Sequence, residues 1–345
     1  MKLGAFSVVD AYPDRPDGDA GRVVEVVRLA EEVEAAGLSS LWVAEHHFHS
    51  GGVCPAPPVL LAACGMRTRR IRLGSLVSVL PFHRPIDVAE EYALVDRLIG
   101  GRLNLGVGSG YLASEFAGWG VDPAEKRGRF DAALETIRTA LAGRPVHAGG
   151  EGSPPVTLNV LPLQRPHPPL WIAVQRREAV PYVARLRASV ALIPYATVDS
   201  LDELSGVIGD YRRARPPDSR GEVTVALHVY AGEDVGLARV AFRRYVRTRL
   251  QTGSTFLEQK ARDRPEHASP EAIEKSGLAL FGPPSELLPK LEGFAGLGVD
   301  ELLGIFDFGG LPAAEVARSV RALGTAWSLR RASEPGSRPD AGPTP

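Results

Sequence analysis

The stretch from Ile71 to Val107, IRLGSLVSVLPFHRPIDVAEEYALVDRLIGGRLNLGV, decides the fold. Its first part, Ile71 to Leu80, is an apolar run that reads as a strand. Asp87 to Ile99 follows with apolar residues at helical spacing, closed by Gly100-Gly101. Arg102 to Val107 is apolar again and reads as the next strand. Strand, helix and strand in this order make a βαβ unit, which implies a parallel sheet.

The same rhythm extends in both directions. Toward the N-terminus lie strand-like Leu3 to Val9, helix-like Val23 to Ala36 with Gly37 as its stop, strand-like Ser40 to Ala44 and helix-like Pro58 to Met66. Toward the C-terminus the helix Ala124 to Leu141 is followed by four further strand–helix pairs. These are Leu170 to Val174 with Arg177 to Leu186, Ser189 to Ile193 with Leu201 to Arg213, Val223 to Tyr230 with Val235 to Leu250, and Glu301 to Phe306 with Ala313 to Leu329. Eight such units suit a closed α/β architecture, the (β/α)₈ TIM barrel; a doubly wound open sheet is the alternative. One barrel domain is expected over residues 1–330. Arg144 to Pro169, rich in Pro and Gly, reads as a surface excursion with a small hairpin. Thr252 to Leu278 is polar, falls after the seventh unit and is expected to be a lid insertion. Arg331 to Pro345 is expected to be a disordered tail.

Composition narrows the function. Among 345 residues, 44% are hydrophobic and 23% charged, as in a soluble globular enzyme. Lys plus Arg number 40 against 41 Asp plus Glu, and this near-balance points to neither nucleic acid nor a membrane surface as partner. Two cysteines, Cys54 and Cys64, make no disulfide framework. Met1 to Asp10 lacks the features of a signal peptide, and no apolar run reaches membrane-spanning length. A reducing, cytoplasmic setting is the expectation.

In such a barrel the active site lies at the C-terminal ends of the strands. The second strand runs into Glu45-His46-His47-Phe48-His49, three imidazoles and a carboxylate in a chain with only 8 His. Histidine titrates near neutrality and serves as acid, base or hydrogen-bond donor. His47-Phe48-His49 also spells the HxH of barrel metal sites. That reading needs further imidazoles at later strand ends, and Val174-Gln175 and Ile193-Pro194-Tyr195 supply none; Asp307 alone leaves the set incomplete. The fourth strand ends in Gly106-Val107-Gly108-Ser109-Gly110-Tyr111, where glycine lets the backbone approach a planar or phosphorylated ligand; Gly108 and Ser109 are candidate contacts. As a dinucleotide fingerprint the match is weak. The fifth strand leads into Gln175-Arg176-Arg177-Glu178 at a helix start, a place suited to phosphate.

Three stretches, in this order and spacing, make the chain resemble the bacterial luciferase-like flavin monooxygenases. They are Trp42-Val43-Ala44-Glu45-His46-His47-Phe48, then Leu80-Pro81 with His83-Arg84-Pro85, and Asp96-Arg97-Leu98-Ile99-Gly100-Gly101-Arg102 leading to Gly106-Val107-Gly108-Ser109-Gly110. The resemblance covers about residues 1–330. It is narrower still to the branch from natural-product assembly-line clusters. This rests on Phe48-His49 with Gly51-Gly52, on Leu227-His228-Val229-Tyr230-Ala231-Gly232-Glu233-Asp234, and on Gly298-Val299-Asp300-Glu301 leading to Phe306-Asp307-Phe308-Gly309.

The resemblance implies FMN bound across the strand ends, with His46 at the family's catalytic position and His47 and His49 beside it. It implies an apolar bed for the flavin ring from Leu76, Val77 and Val79, and a cis peptide at Leu76-Val77. Family members usually present hydroxyl-bearing or small residues to the flavin phosphate after the fifth strand; here Gln175, Arg176, Arg177 and Ala179 stand there. The function implied is a two-component monooxygenase of secondary metabolism. A separate flavin reductase supplies FMNH₂, and the substrate is a small organic molecule or one tethered to a carrier protein. A deazaflavin (F420)-dependent oxidoreductase, a flavin-binding protein without turnover and a metal-dependent hydrolase are the rival readings. A homodimer is the implied assembly.

Overall fold

The eight expected strands form a closed ring in the computed structural model, which describes residues 1–14, 18–150, 152–253 and 255–333. They are β1 (Lys2–Ser7), β2 (Ser40–Val43), β3 (Arg72–Ser75), β4 (Leu103–Gly108), β5 (Leu170–Val174), β6 (Ser189–Leu192), β7 (Val223–Ala231) and β8 (Glu301–Ile305). Each pairs in parallel with the next, and β8 pairs back to β1 from Lys2↔Glu301 to Ala5↔Gly304. The open-sheet alternative is thereby excluded.

The interior is filled by side chains rather than left as a pore. Trp42 of β2 and Trp171 of β5 meet edge to face, with ring centroids 5.0 Å apart. Each indole N–H has a partner inside the barrel: Trp42 donates to Ser40 Oγ and Trp171 to Thr224 Oγ1, both at 3.0 Å. Gly74 of β3 makes this packing possible, because a Cβ there would lie 2.3 Å from the Trp42 ring.

The helices form the outer layer. The one in the deciding stretch, Pro85–Leu98, begins with a proline in its first turn and ends where Gly100 and Gly101 take positive φ of 68° and 75°. The excursion at 144–169 contains the expected hairpin contact, Val146 and Val156 exchanging two backbone hydrogen bonds of 2.9 Å.

Several boundaries differ from the sequence reading. Ile71 to Leu80 is not one strand: β3 ends at Ser75, the Leu76-Val77 peptide is cis, and Ser78–Val79 resumes pairing with Val107 and Gly108. After β5 the helix is short. A 3₁₀ turn (Arg177–Ala179) precedes only Val180–Arg185. The segment 252–278 holds three short helices, Thr255–Asp263, Pro265–Ala268 and Pro270–Lys275. An unanticipated strand, Ala279–Gly282, then pairs with His228 to Ala231, outside the closed ring, and the helix Pro284–Gly296 leads to β8. The last helix runs Ala313–Ala332, so the expected tail begins later than Arg331, and from 334 onward it lies outside the described residues. Cys54 and Cys64 are free and buried. Among the described residues no helix is long and apolar enough to cross a membrane.

Candidate active site

The C-terminal ends of the strands open into a cavity of about 540 Å³. Its wall takes Phe6 and Val8 from β1, Ala44 to His46 from β2, Leu76, Val77 and Val79 from β3, and Gly108 to Tyr111 from β4. Ile172 to Arg176 line it from β5, Ile193 and Tyr195 from β6, and Ile305 from β8. Tyr245 and Arg249 enter from the helix Val235–Gln251, and Phe256 from the 252–278 segment. Eight of the eleven residues singled out in the sequence meet here: His46, Leu76, Val77, Val79, Gly108, Ser109, Gln175 and Arg176.

His46, His47 and His49 part company. Only His46 lines the cavity, 7% exposed. Its Nδ1 lies 2.9 Å from Glu115 Oε1, and the same oxygen accepts from the His47 backbone N–H at 2.9 Å and faces His49 Nε2 at 3.2 Å. The His47 ring turns the other way, with Nε2 3.0 Å from Glu45 Oε1 and its face in an aromatic cluster with Phe82 and Trp119. His83 Nε2 reaches the same Glu45 oxygen at 2.7 Å, and Val79 N–H donates to Glu45 Oε2 at 3.2 Å. Of the three candidate histidines only His46 reaches the cavity, and His47 and His49 stand behind it. Gly52 closes the turn over His46, since a Cβ there would lie 2.5 Å from the ring.

These contacts set the charge states. Burial lowers the His46 pKa, and the hydrogen bond to Glu115 offsets this only in part, so the ring is neutral at pH 7. Burial alone would raise Glu115, but the His46 and His49 hydrogen bonds outweigh it and hold the carboxyl at about 2. An anionic Glu115 can only accept. Nδ1 of His46 therefore carries the proton and Nε2 the lone pair. Glu45, though buried, is likewise held below its ordinary range by His47 and His83. Burial works against charge on His83 too, yet its pKa ends raised, because Glu45 outweighs burial.

The metal reading changes in one respect. Glu45-His47-His83 and His46-His49-Glu115 each bring three donor atoms within 4.8 Å of one another, sets that strand-end inspection missed. In both sets the facing donor atoms are already engaged in hydrogen bonds with one another. Asp307 joins neither set: it pairs with Arg22 and accepts from Ser7 Oγ at 2.5 Å.

At the β5 side the two arginines differ. Arg176 lines the cavity with its guanidinium 5.9 Å from the Phe256 ring centroid. Arg177 does not line it; the side chain is bound to Asp210 at 2.5 Å. The six-residue helix that follows has too few aligned peptides to act as an anion site, so the expected helix-start contribution falls away. Lys126 and Arg127, which the sequence reading passed over, join Arg176 at this rim.

Also missed were Glu115, Tyr195, Tyr245 and Arg249. Glu115 sits on the helix Ala113–Trp119, too short for a periodic signal. Arg249 had a legible signal: it falls three, four and seven residues after Val246, Tyr245 and Phe242, the buried stripe of its helix.

The fold and this histidine-lined mouth define a TIM-barrel enzyme scaffold with its site at the strand C-termini. Residues 1–301 match the family model of luciferase-like monooxygenases, and the chain belongs to that family. The crystal structure of the monooxygenase RslO1 from Streptomyces bottropensis superposes with a TM-score of 0.78 at 26% identity, covering 96% of this chain and 99% of that one. The uncharacterized protein y4wF of Sinorhizobium fredii is 35% identical over 199 residues, 56% of this chain and 57% of that protein. The oxygenase component of the flavin-dependent trigonelline monooxygenase of Acinetobacter baylyi is 24% identical over 297 residues, 80% and 81% of the two chains.

Proposed function

We propose that the protein is the oxygenase of a two-component flavin monooxygenase, taking FMNH₂ from a separate reductase and inserting one oxygen atom of O₂ into a small or carrier-tethered organic substrate of secondary metabolism. The observation that carries this reading is His46, held by Glu115 in one tautomer, at the wall of a cavity whose β3 side is apolar. The residues fit a flavin. Leu76, Val77 and Val79 offer a flat apolar face, and Gln175 Oε1 is buried without a hydrogen-bond partner, an acceptor for a ring N–H. Arg176 and Lys126 at the rim are placed for the phosphate, a role that Arg177, tied to Asp210, does not share.

Reduced flavin, when bound, supplies the electrons and the carbon at which O₂ is activated. The protein's own work is positional. His46 Nε2 accepts a proton from the substrate or relays one at that atom, while Glu115 stabilises the imidazolium that forms. Phe256, with Tyr111 at 6.1 Å between centroids, shuts the mouth against water, and the 252–278 segment acts as the lid. Lys260 moors that lid: only 1% exposed, its Nζ donates to the Tyr195 and Val198 carbonyls at 3.1 and 2.5 Å. A reductase partner is supported by the oxygenase-component name of the Acinetobacter relative, and a homodimer and cytoplasmic setting by the sequence resemblance. Titration of the protein with FMN, FMNH₂ and deazaflavin tests the cofactor. FMNH₂ should bind tightest, and tightest binding of deazaflavin would replace oxygenation with hydride transfer.

A further inference from the structure

Arg249 is a buried cation without a counterion. It is 2% exposed, it lines the cavity, and both Nη1 and Nη2 lack a hydrogen-bond partner. Among the described residues no carboxylate lies within ion-pairing distance of it; Asp10 acts on it only at longer range. The guanidinium cannot shed its proton, so burial leaves a full charge with two donor nitrogens unused. Its surroundings are aromatic: Tyr245, whose ring centroid is 5.1 Å from the guanidinium carbon, and Tyr111 and Tyr195, which line the same cavity.

An unpaired buried guanidinium at a cavity wall is complementary to one kind of ligand group, a planar monoanion that accepts both donors at once. The flavin phosphate is a poor claimant. Its basic rim, Arg176 and Lys126, opens to solvent, whereas Arg249 is buried among Tyr245, Tyr111 and Tyr195. We propose that Arg249 anchors a carboxylate of the substrate, so that the enzyme takes small carboxylic acids whose flat or apolar body lies against Tyr111, Tyr195 and Tyr245 and whose reacting end faces His46. This rests on the monooxygenase reading for the reaction, but not for the binding.

The test is binding on the full-length protein, with and without FMN. Calorimetry compares acetate, benzoate and octanoate with acetamide, benzamide and octanamide, and repeats the series on Arg249→Gln and Arg249→Lys. At least one carboxylate should bind about tenfold or more tighter than its amide; Arg249→Gln should erase that preference and Arg249→Lys keep part of it, with FMN affinity unchanged. The proposal is overturned if no carboxylate outbinds its amide, if the preference survives Arg249→Gln, or if Arg249→Gln lowers FMN affinity instead. The wild-type comparison and Arg249→Lys carry the test if Arg249→Gln fails to fold. A carboxylate preference in a protein that binds no FMN would sink the flavin reading alone and leave this one standing.

Discussion

Replacing Glu115 by Gln removes one negative charge and leaves nearly the same shape. In the folded protein this carboxyl accepts from His46, His47 and His49 and titrates at about 2 instead of its ordinary 4.5. Each tenfold change in a protonation equilibrium is about 1.4 kcal/mol, so the native contacts favour the ionised form by about 3 kcal/mol. The group is 1% exposed, and solvent screening takes little from this figure. The sign follows from linkage. A carboxyl whose folded pKa is depressed contributes its full stabilisation above the unfolded value, and loses it as pH falls from about 4.5 toward 2. Glu115→Gln should therefore be less stable than the parent by up to about 3 kcal/mol at pH 7, and the gap should narrow steadily below pH 4.5. Urea denaturation of both proteins at several pH values measures it. A gap below about 1 kcal/mol at neutral pH, or one that does not shrink in acid, would refute the charge assignment and with it the fixed tautomer of His46.

Three other outcomes are expected. His46→Ala should lower turnover by about 10²–10⁴-fold with little change in FMN affinity; single-turnover oxidation of preloaded FMNH₂, scored for product against hydrogen peroxide, measures it, and unchanged coupling would make His46 structural. Arg176→Ala should weaken FMN binding by about 1–2 kcal/mol, the range for a hydrogen bond to a charge reduced by solvent, while Arg177→Ala changes nothing; fluorescence titration of FMN separates them, and equal effects would undo the distinction. Gly74→Ala places a methyl group 2.3 Å from the Trp42 ring, and thermal denaturation should show about 1–3 kcal/mol lost to overpacking; a neutral result would mean the barrel interior yields more than its packing suggests.

The barrel was legible because its evidence is repeated eight times. Each strand is a short apolar run and each helix carries its own stop, so an error at one unit, such as the break inside 71–80, leaves the topology intact. His46 was legible because chemistry-bearing residues crowd a single strand end. What escaped came from elsewhere in the chain. Glu115 reaches His46 from the short helix after the fourth strand, 69 positions away, and nothing in its seven residues marks that this carboxylate turns inward. Arg177 and Arg176 are adjacent in sequence, and only Asp210, from the next unit, draws one of them away. Arg249 was hidden by company: Arg243 and Arg247 on the same helix are exposed, and the run reads as a solvated basic face unless the stripe through Phe242, Tyr245 and Val246 is followed to its end.

β7 has three partners, β6 and β8 along its lower part and Ala279–Gly282 along its last four residues. Chain that departs after the Val235–Gln251 helix thus returns to a ledge on the same strand, strapped there by main-chain hydrogen bonds that do not depend on the side chains in between. Barrel closure is completed lower on β7 and meets this ledge only at His228. The 252–278 segment is accordingly a cassette: outside its buried anchors Leu257, Lys260 and Ile273 its sequence can be rewritten between two fixed docking points, and a scaffold built this way can change what it admits without renegotiating how it folds.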